Sequence, residues 1–207
     1  MTGKQRPFEW IAGHVALDFT NTVTWRRHGL DRERLQSYSD LVRWSRDAGV
    51  LETATINALQ KAARERPKKA ATAYREAIQA RAGLHVLFVA LATGRRTPLE
   101  VVTSLNARTR RAMAHVALRS EEHRVSVGWN ATTDLDRPLW PLLKATVDLL
   151  TSADLSRLRL CANPECGWVF LDRSRKQNRR WCSMRECGSK AKARAYYQRQ
   201  KEQNARS

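Results

Sequence analysis

The pattern of apolar and polar residues predicts that most of the chain before residue 157 is helical. The clearest signal spans 67–93, where apolar side chains recur every three or four residues and therefore share one helical face. Pro67 fits the first turn of this helix, and Gly94 fits its left-handed C-terminal cap. The segment 13–24 fits either a short helix or an extended strand. Similar, shorter patterns predict further helices within 31–50, 52–65 and 138–150, and one that begins at Pro98.

A second pattern, strict alternation of apolar and polar residues, predicts one β-hairpin after the helices. Alternation runs through 116–119 and again through 124–129, and the polar stretch 120–123 between them reads as a turn. Because an isolated hairpin is only marginally stable, we expect it to pack on the helices or to pair with another strand. The predicted fold class is therefore α+β and mainly α.

Composition narrows the class of protein. The 207 residues are 42% hydrophobic and 28% charged, which is typical of a globular chain and not of a disordered one. No apolar run approaches the roughly 20 residues of a membrane span. The polar residues 1–7 lack the apolar core of a signal peptide. We therefore expect a cytoplasmic protein without membrane contact, in a reducing compartment where disulfide bonds are disfavoured.

The chain carries a large positive charge that is unevenly distributed. Lys and Arg number 38 and Asp and Glu number 20, so the formal net charge is +18. Residues 157–207 hold 14 of the basic and 4 of the acidic residues, which places +10 in the last quarter, together with all four cysteines. The joint change predicts an N-terminal domain over 1–156 and a smaller module over 157–207, joined without a long linker. The charge predicts a polyanionic partner.

The cysteine spacing predicts a structural zinc site. Cys161 and Cys166 form one pair with four residues between them, and Cys182 and Cys187 form a second such pair. Fifteen residues separate the pairs, enough for a hairpin that brings four thiolates around a tetrahedral Zn²⁺ ion. The alternative is a set of four buried, unreactive thiols.

The residues around the cysteines predict a treble-clef-like zinc finger that ends in a basic helix. Residues 167–171 favour a strand, 172–178 a polar turn and 179–182 the returning strand. Ser183 is a suitable N-cap for the last helix, which places Cys187 in its first turns. Such a module is too small to fold on its apolar core alone. Zinc would supply much of its folding free energy, about 10–16 kcal/mol in comparable peptides.

Basic residues on the turn and on both flanks of the last helix predict a nucleic-acid surface. They comprise Arg173, Arg175, Lys176, Arg179, Arg180, Arg185, Lys190, Lys192, Arg194 and Arg199. Their charge suits phosphate groups, and the nearby Tyr196 and Tyr197 suit sugars or bases. The alternative is a basic helix that is merely solvated. A membrane-bound helix is disfavoured because the apolar stripe consists mostly of alanine.

The N-terminal domain contains one candidate ligand pocket. If 13–24 is helical, His14, Asp18, Asn21 and Trp25 share one face. The alternative, which we favour, is that these polar groups cap helices and satisfy backbone hydrogen bonds. His85 is expected to be a packed core histidine and not a metal ligand. The sequence has no phosphate-binding loop, catalytic triad or dinucleotide fingerprint, so we expect no enzymatic activity.

Two stretches resemble known families. The finger resembles the bacterial CGNR zinc-finger family, through LCANPECGW at 160–168, RWCSM at 180–184 and the pair Cys187-Gly188. The segment 13–22 resembles the start of ABATE domains, regarded as stress-induced transcription regulators, and implies the whole two-part architecture. Ser189 and Lys190 depart from the family's Asn and Arg. Lysine keeps the charge but lacks the planar guanidinium that binds guanine or phosphate through two hydrogen bonds.

The leading hypothesis is a cytoplasmic, bacterial DNA-binding transcription regulator whose zinc finger presents its basic helix to DNA. The N-terminal domain would then sense an unidentified small molecule or protein, or mediate homodimerisation. One alternative is an RNA-binding or ribosome-associated zinc protein, since the same charge and aromatic residues suit RNA. Another is a small-molecule-binding protein or an enzyme in which the zinc finger is purely structural.

Overall fold

The computed structural model of the protein describes residues 8–26, 29–121 and 123–204. The helices and strands of this part follow in the order α1 (Val15–Thr20), β1 (Thr24–Arg26), β2 (Gly29–Asp31), α2 (Tyr38–Asp47), α3 (Thr53–Glu65), α4 (Pro67–Ala92), α5 (Leu99–Met113), β3 (Val116–Glu121), β4 (Arg124–Trp129), α6 (Trp140–Leu150), β5 (Leu158–Leu160), β6 (Val169–Leu171) and α7 (Ser189–Asn204). A π-helical turn, Met184–Gly188, leads into α7. The fold is α+β and mainly α, as predicted. None of these helices combines the length and apolar character that crossing a membrane requires.

The long helix α4 is the centre of the fold, and its limits confirm the sequence pattern. Pro67 lies in its first turn, and Gly94, just beyond its end, has a φ of +65°. Its apolar face, including Ala77, Leu84 and Phe88, is buried. Helices α1, α2, α3 and α5 all pack against it. The ambiguous segment 13–24 resolves into the short helix α1 followed by strand β1.

The described residues of the N-terminal part form two antiparallel strand pairs, of which the sequence predicted one. Strands β1 and β2, which were not predicted, pair in antiparallel register. Strands β3 and β4 form the predicted hairpin, with Leu118 opposite Val127. The expected packing is only partial: Trp129 contacts Trp140 of α6, whereas Leu118 and Val127 remain 74% and 59% exposed. Among the described strands, β3 and β4 pair only with each other.

The hairpin predicted for the zinc finger has a different second strand in the structure. Strand β6 pairs with β5, with Phe170 opposite Arg159, and the segment 179–182 is not a strand. The prediction was wrong because the N-terminal part binds the remaining backbone groups of β6. Leu171 N donates to Ala12 O, and Asn21 bonds both the N–H and the carbonyl of Val169. Residues 179–182 therefore find no free edge on β6.

The hydrophobic core runs without interruption from the N-terminal helices into the finger. Trp168 and Phe170 are buried in the same cluster as Leu17, Phe19 and Leu84. The indole N–H of Trp168 donates to the carbonyl of Val23 at 2.8 Å. The small core that the sequence predicted for the finger is thus part of a larger one. A functional division into 1–156 and 157–207 remains a prediction.

Candidate metal centre and nucleic-acid interface

The four predicted cysteines lie together in one buried cluster. The sulfurs of Cys161, Cys166, Cys182 and Cys187 all lie within 4.8 Å of one another. Cys166 Sγ lies 3.5 Å from Cys182 Sγ, which in turn lies 3.6 Å from Cys187 Sγ. Around a Zn²⁺ ion with Zn–S bonds of about 2.3 Å, tetrahedral geometry requires sulfurs about 3.8 Å apart. The donor set and its spacing therefore fit a closed, four-thiolate zinc site.

The first cysteine pair lies on a tight loop that is held by hydrogen bonds. Cys166 N donates to the carbonyl of Asn163 at 3.0 Å, and Cys161 N donates to the carbonyl of Trp168 at 2.8 Å. Gly167 has a φ of +69°, a conformation that glycine adopts without strain. The loop therefore places both sulfurs on one side, at the end of the β5–β6 hairpin.

The second pair lies where the last helix begins. Ser183 is the N-cap, because its hydroxyl accepts from Glu186 N, as the sequence predicted. Gly188 N donates to the carbonyl of Ser183 and closes the π-helical turn that carries Cys187. Any ion bound by the four cysteines therefore ties the start of α7 to the hairpin.

Polar groups outside the cluster point towards its sulfurs. Cys182 N donates to Cys161 Sγ at 3.4 Å, and the amide of Asn163 donates to Cys187 Sγ at 3.4 Å. The same Asn163 side chain accepts from Arg194 of α7 at 3.2 Å. Such donors stabilise thiolate ligands and fix their orientation. Asn163 was not singled out from the sequence, although it lies between two predicted ligands.

The hydrogen-bonded thiols of Cys161, Cys166 and Cys182 compete for ionisation, since a negative charge on one sulfur disfavours a charge on its neighbours. Hydrogen bonds from Cys166 and Cys182 hold the pKa of Cys161 far below its usual range. Hydrogen bonding to Cys161, together with burial, raises the pKa of Cys166 and of Cys182. A divalent cation removes this competition, because metal binding replaces the thiol protons. When zinc is bound, it supplies structural cross-linking and leaves no open coordination position for a substrate.

The N-terminal part holds the finger through backbone contacts. Asn21 donates to the carbonyl of Val169 at 2.9 Å and accepts from its N–H at 3.2 Å, so this amide takes the place of a neighbouring strand. Gly13 has a φ of +79°, and a Cβ there would lie 3.6 Å from the side chain of Leu171. Gly13 therefore allows the chain to turn close beside β6.

Arg179, which the sequence assigned to the nucleic-acid surface, takes part in this junction. Its guanidinium donates to the carbonyls of Ile11, Trp181 and Cys182 and lies 4.4 Å from the ring centroid of Phe170. The side chain is half-buried. Its Nε and Nη2 groups already donate to carbonyl oxygens, and a contact of Arg179 with phosphate stays a prediction.

The other predicted basic residues of the surface are exposed. These are Arg173, Arg175, Lys176, Arg180, Arg185, Lys190, Lys192, Arg194 and Arg199. Three of them have internal partners as well: Arg173 pairs with Asp154 at 3.0 Å, Arg194 bonds Asn163, and Arg180 lies over the ring of Trp181. Tyr196 and Tyr197 are 52% and 64% exposed. We call these nine basic residues and two tyrosines the basic surface.

A buried carboxylate shapes the turn of the basic surface. Asp172 is fully buried and accepts from Ser174 N, from the Ser174 hydroxyl and from Arg179 N. Burial alone raises the pKa of this carboxyl, but the three hydrogen bonds outweigh it and hold the pKa below its usual value. Asp172 was missed from the sequence, although an Asp two residues before a Ser is a recognised turn signal.

The apolar stripe of the last helix only partly faces the finger. Cys187 is buried, Ala191 and Ala195 are half-buried, and Met184 is 52% exposed. Most of α7 therefore projects into solvent from its anchored first turns. Ser189 and Lys190, the two departures from the family pattern, are both exposed.

Three of the four candidate ligand residues make hydrogen bonds within the fold, which is the kind of role that the favoured alternative assigns to them, while a ligand pocket stays a prediction. His14 is the N-cap of α1 and accepts from Ala16 N, and Asp18 accepts from Ala12 N. Burial raises the pKa of Asp18 to about 6. Asn21 bonds β6, as described above. The side chain of Trp25 lies outside the described part of the chain.

His85 is a packed histidine, as predicted. Its Nε2 lies 2.7 Å from the carbonyl oxygen of Gly167 and links α4 to the first cysteine loop. Burial lowers the pKa of His85 to about 4. The ring is therefore neutral at pH 7 and donates its Nε2 proton to this carbonyl.

The sequence matches two known families, in the order that the resemblance implied. Residues 13–153, more than half of the chain, match the model of the ABATE family, described as "Putative stress-induced transcription regulator". Residues 157–200 match the CGNR zinc finger. A search of curated proteins found no match.

Proposed function

The chain belongs to the ABATE family and carries a C-terminal CGNR zinc finger, and on this premise we propose that it is a DNA-binding transcription regulator. The zinc finger anchors α7, and the basic surface contacts the phosphate backbone. The observation that carries the proposal is the exposed positive charge of α7. This helix begins at the candidate metal centre.

Duplex DNA fits this arrangement better than duplex RNA. A helix enters the wide major groove of B-form DNA, whereas the major groove of A-form RNA is too narrow to admit one. Helix α7, 16 residues long, has five Lys or Arg residues and one Glu in its sequence. A helix of this charge binds phosphates on both sides of a groove.

The second candidate function is binding of single-stranded RNA, which the exposed Tyr196 and Tyr197 favour. Their rings lie 5.8 Å apart in an edge-to-face arrangement. Unpaired bases stack on such exposed aromatic rings, with a contribution of about 1–3 kcal/mol per base. Replacing both tyrosines by Ala should weaken binding to single strands far more than binding to duplex DNA.

The experiment is a fluorescence-anisotropy titration of the zinc-loaded protein with duplex DNA, duplex RNA and single-stranded RNA of matched sequence. Each titration is repeated at several salt concentrations, because the logarithm of the affinity falls by about 0.9 per phosphate contact for each logarithmic unit of salt. The proposal expects measurable binding to duplex DNA with a steep salt dependence. No binding to any of the three at low salt contradicts it.

Two charge-matched variants separate α7 from the overall charge of the protein. Lys190→Gln/Lys192→Gln removes two charges from the basic surface, and Lys68→Gln/Lys69→Gln removes two exposed charges from α4. The first variant should lose about 1.8 from the salt slope, and the second should keep the wild-type slope. An equal decrease of the salt slope in both variants would show that binding depends only on the net charge of the protein and not on α7.

Within the same proposal, the N-terminal domain senses a small molecule or protein, or mediates homodimerisation. The protein works in the cytoplasm, where reducing conditions keep the thiols available for zinc. The proposal contains no catalytic step.

A further inference from the structure

A large groove lies between helices α2, α3 and α4, at the opposite end of α4 from the zinc finger. Its volume is about 660 Å³, within the range of roughly 300–1,000 Å³ that is usual for small-molecule sites. Tyr38 and Val42 of α2, Ala63 and Arg64 of α3, and Tyr74 of α4 contribute to its lining.

The chemistry of the groove favours a flat organic anion. Apolar atoms and two tyrosine side chains form much of its wall, and the polar lining residues include Gln36 and Gln60. Arg64 is its one charged lining residue, and it makes no hydrogen bond or ion pair within the described part of the chain. An exposed guanidinium beside an apolar, aromatic wall binds a carboxylate or sulfonate carried on a ring.

A segment of four residues connects this groove to the finger. Gln36 lines the groove, and the carbonyl of Leu35 accepts from the Tyr74 hydroxyl at 2.8 Å. The Arg34 guanidinium lies 5.2 Å from the ring centroid of Trp168, the buried tryptophan two residues after Cys166. Glu33 pairs with Arg81, whose side chain is buried in α4. A change at Tyr74 therefore acts on the same short segment that contacts the finger.

We propose that the groove between α2, α3 and α4 is the effector site of the regulator, that it takes a flat organic anion, and that the segment 33–36 couples it to the zinc finger. The inference rests on the proposed sensing function. Coupling then requires that the segment 33–36 has one conformation when the groove is occupied and another when it is empty.

The groove is tested with 8-anilinonaphthalene-1-sulfonate, a flat aromatic anion that fluoresces when it enters an apolar site. The zinc-loaded protein should bind one dye molecule saturably. Ala71→Trp, which fills the groove from an exposed position of α4, and Arg64→Gln should each weaken binding at least tenfold. The controls Ala54→Trp and Arg75→Gln, both at exposed positions outside the groove, should change it less than twofold.

The exposed face of the β3–β4 hairpin, with Leu118, Val125 and Val127, is an apolar surface that competes for the dye. If Leu118→Ser abolishes dye binding while Ala71→Trp leaves it unchanged, the groove is not the site and the inference fails. Non-saturable binding that all variants share equally also overturns it, because the dye then reports only the net positive charge.

Coupling is tested by measuring DNA affinity with and without saturating dye. The Kd for DNA should change at least fivefold, and by reciprocity DNA should change the dye Kd by the same factor. Arg34→Gln, at a position outside the groove lining, removes the guanidinium from the Trp168 ring and should keep dye binding but lose this effect. An unchanged DNA Kd overturns the coupling. Failure of the protein to bind DNA without dye would instead refute the proposed function, while the dye titration still tests the groove.

Discussion

Replacing Asn21 by Ala should strongly destabilise the protein, because this side chain substitutes for a neighbouring strand of β6. The amide donates to the carbonyl of Val169 at 2.9 Å and accepts from its N–H at 3.2 Å. Asn21 is only 3% exposed, so water has little access to the site. Truncation leaves both backbone groups of Val169 buried without a partner.

The magnitude follows from these two groups. An unpaired buried donor or acceptor costs about 1–3 kcal/mol, so the loss of both partners should lower the free energy of unfolding by about 2–6 kcal/mol. In a chain of this length, the corresponding fall in Tm is roughly 5–20 °C. The control Asn106→Ala changes an exposed asparagine on α5 and should shift stability by less than about 0.5 kcal/mol.

The assay is urea denaturation of the zinc-saturated proteins, followed by tryptophan fluorescence at a fixed free zinc concentration. Because β6 lies between the two cysteine pairs, Asn21→Ala should also release zinc faster to a chelator. The reasoning is refuted if Asn21→Ala and Asn106→Ala unfold at the same urea concentration with the same slope. Such a result would mean that water or another group satisfies Val169 at little cost.

Three further predictions concern the metal, a histidine and the exposed hairpin. Cys182→Ser should reduce bound zinc from one ion to well below one per chain, as measured by mass spectrometry of the metal, because three thiolates leave the site incomplete. For His85, the folded pKa of about 4 lies below the unfolded value of 6.5. The neutral ring of His85 therefore makes its full contribution to the free energy of unfolding above pH 6.5. This contribution is lost as the pH falls towards 4, and the total loss is roughly 3 kcal/mol. His85→Gln, which keeps a donor for the carbonyl of Gly167, should flatten the pH dependence of stability in this window relative to wild type. Leu118→Ser/Val127→Ser should leave Tm within about 2 °C, because both side chains are already exposed. A much lower Tm for this variant would contradict the reasoning, because it would mean that the two side chains are buried against another part of the protein.

The sequence predicted the elements that depend on local spacing. The four cysteines, the Ser183 N-cap and the limits of α4 were all correct, because each follows from residues close together in the chain. Paired cysteines and helical periodicity can both be recognised from residues that are near one another in the sequence. The β3–β4 hairpin was also correct, although the sequence could not show that its apolar face would remain largely exposed.

The structure differed from expectation where a residue pairs with a partner far away in the chain. Strand β5 is only three residues long, which is too short for an alternating pattern to predict it. It pairs with β6 in place of the predicted strand at 179–182. Arg179 resembled the other arginines of its turn, yet its guanidinium binds carbonyl groups, including that of Ile11 near the other end of the chain. The sequence does not distinguish these arginines, because it does not show which of them will lie beside unpaired carbonyl groups in the folded chain.

By itself, the sequence determined a helical N-terminal part, a four-cysteine metal centre and a basic last helix. The tertiary structure decided how these parts are joined: Asn21 bonds Val169, 148 positions later, and Trp168 is buried against the N-terminal part. It also decided which basic side chains are exposed and where a groove opens between helices. The physical reason is that ligand spacing and helical periodicity are local properties. Pairing of buried polar groups depends instead on which distant segments meet in the folded chain.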